Sequence, residues 1–255
     1  MDLKKIGSQA GTAMNRLVQV VGEKVANAES TQLDQEVVQI MNKSVQITMI
    51  CEKLLASVTA YLVPNPAVRA ENFIRDVFNA KAEKRNNLES LGNVMITVSA
   101  DYGEDTEMGK VMNIFGKSQE RIGADENTFT QKATASFCEP LQKFIDVECK
   151  NAANSRSQLE NCRLDYDAAR RHVRSAMTQA SKQTYDLLVA KAKEEEDLKL
   201  RELEHKTQET KQICQELDVS FKKLKPLFKE LARSQYEFYE VAQKNTADLQ
   251  MKLNE

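Results

Sequence analysis

Apolar residues recur along this chain at alternating steps of four and three. From Leu33 the series runs Leu33, Val37, Ile40, Ser44, Ile47, Cys51, Leu54, Val58 and Tyr61, eight of the nine apolar. Four heptads of that spacing predict a helix with a coiled-coil-like seam over about 31–62. Ser30 or Thr31 is placed to cap it, with Asp34 in its first turn. Pro64-Asn65-Pro66 ends it, because the residue before a proline is forced out of the α region. Leu88, Leu91, Val94, Met95 and Val98 resume a helix up to Gly103. A second long helix is predicted from Thr106 to about Ala180. Met108, Val111, Phe115, Ile122, Phe129, Phe137, Leu141 and Phe144 mark its first half. Leu159, Cys162, Tyr166, Ala169, Val173, Ala176 and Ala180 mark its second. Pro140 lies inside it and predicts a kink, since the pattern continues on both sides. A third helix spans about 184–253 on the seam Leu217, Phe221, Leu224, Phe228, Leu231, Gln235, Phe238, Ala242, Asn245 and Leu249, and Pro226 predicts a bend in it.

Helices of about 70–75 residues are roughly 105–110 Å long, whereas a compact globule of this chain length has a radius of gyration of about 18 Å. The expectation is therefore all-α: an elongated, kinked, three-helix antiparallel coiled coil, the last two helices folding back near 178–186. Bulky seam residues gather at its base and small ones towards the turn. Three helices do not cover so apolar a base, which predicts a homodimer there through Phe115, Phe129, Leu217, Phe221, Phe228 and Phe238.

Composition sharpens the class. The chain has 8 Gly and 4 Pro in 255 residues, against about 18 and 13 at average usage. That scarcity of turn residues excludes doubly wound, sandwich and barrel folds. No apolar run approaches 18 residues, so no membrane span is expected, and the N-terminus is too interrupted by polar residues for a signal peptide. The five cysteines lack metal-ligand spacing and read as buried, reduced thiols. The net charge of −2 gives no global attraction to nucleic acid or membrane and leaves local patches to decide. Residues 89–149 hold 5 basic and 11 acidic side chains, a net of −6, whereas 150–185 hold 7 and 3, a net of +4. The arm is thus acidic at its base and basic towards its tip. An ordinary solvated coiled-coil face is the plainer account of that asymmetry.

Catalytic and metal chemistry find little purchase. His172 and His205 stand 33 residues apart in charged helical runs, and there is no nucleophile elbow, phosphate-cradling loop or HExxH. Asp165 and Asp167 point in different directions on a helix. No enzyme activity and no cofactor are expected. The N-terminal 22 residues are more informative. On a helical wheel Leu3, Ile6, Ala10, Ala13, Met14, Leu17, Val20 and Val21 fill one arc, with Val18 at its edge. Lys4, Lys5, Ser8, Gln9, Thr12, Asn15, Arg16 and Gln19 fill the other. With Gly7, Gly11 and Gly22 in it, so short a segment does not hold a helix alone in water. It folds where its apolar face finds a partner, either a lipid interface or a protein surface, its own bundle included.

The stretches LDQEVVQI (33–40), LVPNPAVRAENF (62–73), QERIGADENTF (119–129), FCEPLQKFI (137–145) and RLDYDAARR (163–171) resemble an N-BAR domain of the endophilin type, nearest its B branch. The resemblance covers essentially the whole chain in order. It implies an amphipathic helix over 1–22 and a BAR domain over 23–255, with an insert at 64–88 and an arm tip near 174–186. It further implies a crescent homodimer, cytoplasmic and peripheral to the membrane, that binds anionic phospholipid and senses or induces curvature. Inserting residues would be Leu3, Ile6, Ala10, Met14, Leu17, Val18 and Val21, with Phe73, Ile74 and Phe78 of the insert. Headgroups would be met by Lys4, Lys5, Arg16, Arg69, Arg75, Lys81, Lys84, Arg85, Arg163, Arg170, Arg171, Arg174 and Lys182. Endophilins carry a C-terminal Src-homology-3 domain, and the chain reaches Glu255 without one, so proline-rich partners are not expected from it. A cytosolic coiled-coil scaffold for a protein such as a small GTPase is the alternative reading.

Overall fold

A computed structural model describes residues 30–64, 85–179 and 185–254 of the chain, all but the caps and turns of which are helical. In chain order the elements are α1 (Gln35–Leu62), α2 (Asn87–Tyr102), α3 (Glu107–Ala133), a π turn (Thr134–Cys138), α4 (Glu139–Phe144), a second π turn (Ile145–Cys149), α5 (Lys150–Gln179), α6 (Tyr185–Lys222) and α7 (Lys225–Asn254). Among the described residues there is no strand. The all-α expectation is met.

The proline signals act as expected, with added detail. Pro140 has no N–H to donate and its ring would crowd the carbonyl four residues back. The backbone widens on either side, so that Glu139 donates to Thr134 and Lys150 to Ile145, each five residues back. At Pro226 the helix is interrupted instead. Lys223 and Leu224 form a tight turn that donates to Ser220 and Phe221, and α7 starts afresh at Lys225. The N-cap of α1 differs from the expectation. Asp34 caps it by accepting from the Glu36 N–H at 2.7 Å, because Thr31 is engaged elsewhere.

Two compact units make up the chain. The first holds the described residues up to Val45 together with those of Asn151–Glu216. Its core is Val37, Leu159 and Leu203, flanked by Leu33, Met41, Cys162 and Tyr166. Polar pins cross this apolar seam at successive levels. Arg156 donates to the fully buried Ser44 at 2.5 Å, and Ser155 and Thr210 share a buried hydroxyl bond of 2.8 Å. A polar group at a seam position has one partner it can satisfy, so these pairs set the antiparallel register that repeated apolar residues leave open.

The second unit holds Gln46–Lys150 and Leu217–Glu255. Within it α2 and α3 form a very close hairpin. A Cβ on Gly92 would lie 2.6 Å from the Gly116 carbonyl, and one on Gly116 would lie 2.8 Å from that of Gly92. Ser99 donates to the Gly109 carbonyl at 2.7 Å, and Gly103 turns the chain with φ 111°. Asn86 closes the other end. It forms a reciprocal capping box with Glu89 and donates to the Gly123 carbonyl at 2.7 Å. Further along, Phe129 stacks on Phe238 at 5.5 Å, and Tyr61 meets the Phe129 edge at 6.1 Å. The buried thiols of Cys51 and Cys149 share a hydrogen bond, and this, with burial, pushes Cys51 far above the ordinary thiol range. All five cysteines are free thiols.

One helix departs from the membrane-span expectation. Gln35–Leu62 is long enough, and over 18 residues apolar enough (mean hydropathy 1.2), to cross a bilayer. Glu52 and Lys53 would then enter hydrocarbon, whereas Ile47, Cys51 and Leu62 are buried against protein. It is therefore a bundle helix.

Candidate lipid-binding surface

Apart from Arg85, the described part of the candidate surface lies on α5 in the first unit. Arg170, Arg171 and Arg174 sit within two turns of one another. Arg171 and Arg174 are exposed. Arg170 is half-buried, with its guanidinium 5.8 Å from the Tyr166 ring centroid and donating to Thr31 Oγ1 at 3.2 Å. Stacking and this bond hold its stem against the bundle and restrict where its charge can point.

Beneath these arginines lies a junction that sequence reasoning missed. Asp167 is only 4% exposed. Its Oδ1 accepts from the Thr31 N–H at 2.9 Å and from the Thr31 hydroxyl at 2.6 Å. Arg163 stands beside it, 3.7 Å from Oδ2. Arg163 also makes a two-point pair with Glu160, at 2.6 and 2.9 Å. It donates to the Ser30 hydroxyl and, at 3.3 Å, to the Thr31 carbonyl. Pairing with Glu160 outweighs the opposing effect of burial and holds the Arg163 guanidinium above its ordinary range. The chain entering α1 is thereby pinned to α5 at Thr31. The only signal for this in the sequence was an acidic residue, Asp167, two positions before Ala169 on the apolar seam.

The predicted site residues thus separate. Arg163 was expected to meet headgroups, yet its side chain is 12% exposed and bound to four internal groups, so it belongs to the junction. Arg85 is exposed, one residue before the α2 cap, in the second unit. Leu3, Lys4, Lys5, Ile6, Ala10, Met14, Arg16, Leu17, Val18 and Val21 lie outside the described residues, as do Arg69, Phe73, Ile74, Arg75, Phe78, Lys81, Lys84 and Lys182.

The residues expected at a dimer contact divide as well. Phe129 and Leu217 are buried inside the chain itself and have no surface to offer a partner. Phe115, Phe221 and Phe238 are partly covered. Phe228 is 47% exposed while its ring edge meets Phe137 at 5.2 Å. In the same unit Leu91, Val94, Val98 and Tyr102 are exposed. They recur at helical spacing, so α2 carries an outward apolar stripe beside the face that Gly92 and Ser99 press on α3. The spacing was legible, but its direction was not.

Two shallow grooves are the best-formed concavities among the described residues. One, of about 440 Å³, is lined by Cys162, Leu198, Arg201 and His205. The other, of about 520 Å³, is lined by Leu55, Thr59, Cys138 and Glu139. Glu202 and Lys206 also line the first, and Lys143 and Asp146 the second; among the described residues no three His, Cys, Asp or Glu side chains converge as a metal site would require.

Comparison with known proteins decides the family, since the BAR domain profile matches residues 8–255. The chain belongs to the BAR domain family. It is 34% identical to Endophilin-B1 of Rattus norvegicus over 182 residues, 71% of this chain and 50% of that one. Against Endophilin-B1 of Homo sapiens the identity is 35% over 176 residues, 69% of this chain and 48% of the other. Endophilin-B2 of Gallus gallus is 31% identical over 182 residues, 71% and 45% of the two chains. The chain spans about half the length of these curated relatives. The resemblance to the endophilin B branch is borne out, and the helices α1–α7 are those of an all-α BAR domain.

Proposed function

We propose that this BAR domain binds anionic membranes as a homodimer and senses or induces their curvature, with its N-terminal amphipathic segment entering the outer leaflet. The observation that carries the reading is the family match over residues 8–255. Arg171 and Arg174, exposed on α5, support it. Cations near an anionic surface contribute about 1 kcal/mol each, so a few per protomer, doubled in a dimer, give firm and salt-sensitive attachment. Lys4, Lys5 and Arg16 of the N-terminal segment and Arg69, Arg75, Lys81, Lys84 and Arg85 around the insert extend the headgroup set. The outward stripe of α2 and Phe228 supply apolar surface for a second copy.

Sedimentation with phosphatidylserine-containing vesicles at low and high salt tests the reading. Binding should fall steeply as the Debye length shrinks from about 10 Å at 0.1 M to 3 Å at 1 M. Ile6→Glu or Leu17→Glu places a charge in the apolar arc and should abolish tubulation while the dimer persists. A chain that stays in the supernatant at low salt overturns the membrane reading and favours a coiled-coil scaffold for a protein partner.

A further inference from the structure

The end of the hairpin formed by α5 and α6, within the first unit, carries apolar side chains that the bundle does not use. Val189 and Ala192 face α5 and are buried, as are Ala169 and Val173 opposite them. His172 and Glu195 bridge the two helices at 3.1 Å. Between these contacts and the turn, Leu187 is 76% exposed and Leu188 47%. Tyr185, at the start of α6, and Met177, at the end of α5, are exposed too. A lone surface leucine needs no account. Two consecutive leucines in a helix's first turn, projecting away from α5, are a different case.

Charge narrows what can meet them. In the last two to three turns of the hairpin, down to the level of the His172–Glu195 bridge, Arg170, Arg171, Arg174, Lys191 and Lys193 face Asp186, Glu194 and Glu195, a net of +2 among the described residues. A second copy docking end to end would bring like charge against like charge in the same contact, which opposes association. The two grooves named above are lined by other side chains and offer these leucines no seat for a partner helix. A convex end with leucines ringed by long cations fits an anionic bilayer, where cations stay among headgroups while apolar tips sink to the acyl boundary.

We infer that the end of the α5–α6 hairpin is a further membrane-inserting element, in which Leu187 and Leu188 enter the acyl boundary of an anionic bilayer and Arg174 and Lys191 hold the headgroups. The inference rests on the reading of the chain as an anionic-membrane binder. It adds a wedge at the arm's end to a contact otherwise made by charge, so part of the binding there survives salt.

The chain contains no tryptophan, so Leu187→Trp gives a single probe in the full-length chain, with Glu204→Trp as a solvated comparison. On phosphatidylserine-containing vesicles, Trp emission at 187 should move to shorter wavelength and be quenched by lipids brominated near the acyl boundary. Emission at 204 should do neither. Leu187→Ser with Leu188→Ser should weaken vesicle partitioning about tenfold. Its melting temperature should fall only slightly, because Leu187 is largely in water and Leu188 about half so in the fold. If wild type sediments with vesicles while the probe at 187 stays unshifted and the double serine variant binds equally well, the wedge is wrong and the membrane reading stands. If wild type does not sediment, the membrane reading falls and the wedge with it. A blue shift that grows with protein concentration in the absence of vesicles overturns the inference in favour of a contact between copies.

Discussion

Replacing Asp167 with alanine probes the junction where the chain enters α1. The carboxylate accepts two hydrogen bonds from Thr31 and faces Arg163 at 3.7 Å, at a site only 4% exposed. Removing one partner of a buried charge pair costs about 3–5 kcal/mol when the other charge is left unpaired. Arg163 is not left so, because it keeps the two-point pair with Glu160. The loss is then chiefly two charge-assisted bonds to Thr31, one amide and one hydroxyl, and the orphaned Thr31 groups can reach solvent. The expected cost is about 2–3 kcal/mol. Thr31→Val removes the hydroxyl bond alone and should cost about 1–2 kcal/mol, whereas Thr31→Ser keeps the hydroxyl and should cost little. A double-mutant cycle between positions 31 and 167 should give a coupling of about 1–3 kcal/mol. Chemical unfolding supplies the free energies. Native-state hydrogen exchange shows whether amides in the first turns of α1, from Glu36 to Met41, lose protection before the rest. If Asp167→Ala unfolds within about 0.5 kcal/mol of wild type, or Thr31→Ser is as costly as Thr31→Val, the junction does not pin the chain.

Three further outcomes follow from the second unit. Gly92→Ala should destabilise it in thermal unfolding, because the new Cβ meets the Gly116 carbonyl at 2.6 Å. Overpacking costs about 1–3 kcal/mol, and a clash with backbone lies at the upper end, so it outweighs the roughly 1 kcal/mol of helix propensity gained. Glu126 accepts from Asn86 at 3.0 Å, while burial, then the charge of Glu89, push its carboxyl above the ordinary value of 4.5. Its folded-state pKa is therefore the higher one, so the native state holds the proton more tightly than the unfolded chain and stability falls as pH rises above 4.5. Glu126→Gln should raise the melting temperature near neutral pH, by no more than about 1 kcal/mol for a part-exposed group, and the gain should vanish once pH drops below the unfolded value. Phe228→Ala should shift the chain towards monomer in analytical ultracentrifugation with a small loss of unfolding free energy, since the ring is already 47% exposed. An unchanged dimer at low micromolar concentration removes Phe228 from the proposed contact.

Much of the fold is readable from local pattern. Apolar spacing of three and four, interrupted at Pro64, Gly103, Pro140 and Pro226, placed the helices to within a few residues of Gln35–Leu62, Asn87–Tyr102 and the long segments after Glu107. That succeeds because helix period and proline's missing donor are properties of the chain itself. The seam Leu159, Cys162, Tyr166, Ala169, Val173 likewise faces inward throughout.

Partner choice was decided by tertiary structure. The glycines before Gly123 read as scarce turn residues, but Gly92 and Gly116 lie inside helices, where their missing Cβ atoms let two backbones touch. Composition records a glycine without recording what stands across from it. Phe129 and Phe228 share one apolar pattern, yet one is sealed by Phe238 and Tyr61 while the other stays half in water. Arg163 and Arg171 look alike as cations on one helix, eight residues apart. Two turns of helix separate the one that meets Glu160, Asp167 and Thr31 from the one that meets solvent. The sequence determined where charge and apolar surface are carried, because those belong to residues. The packing of α1 against α5 decided which of them remain available, because burial and hydrogen bonding belong to pairs of residues far apart in the chain.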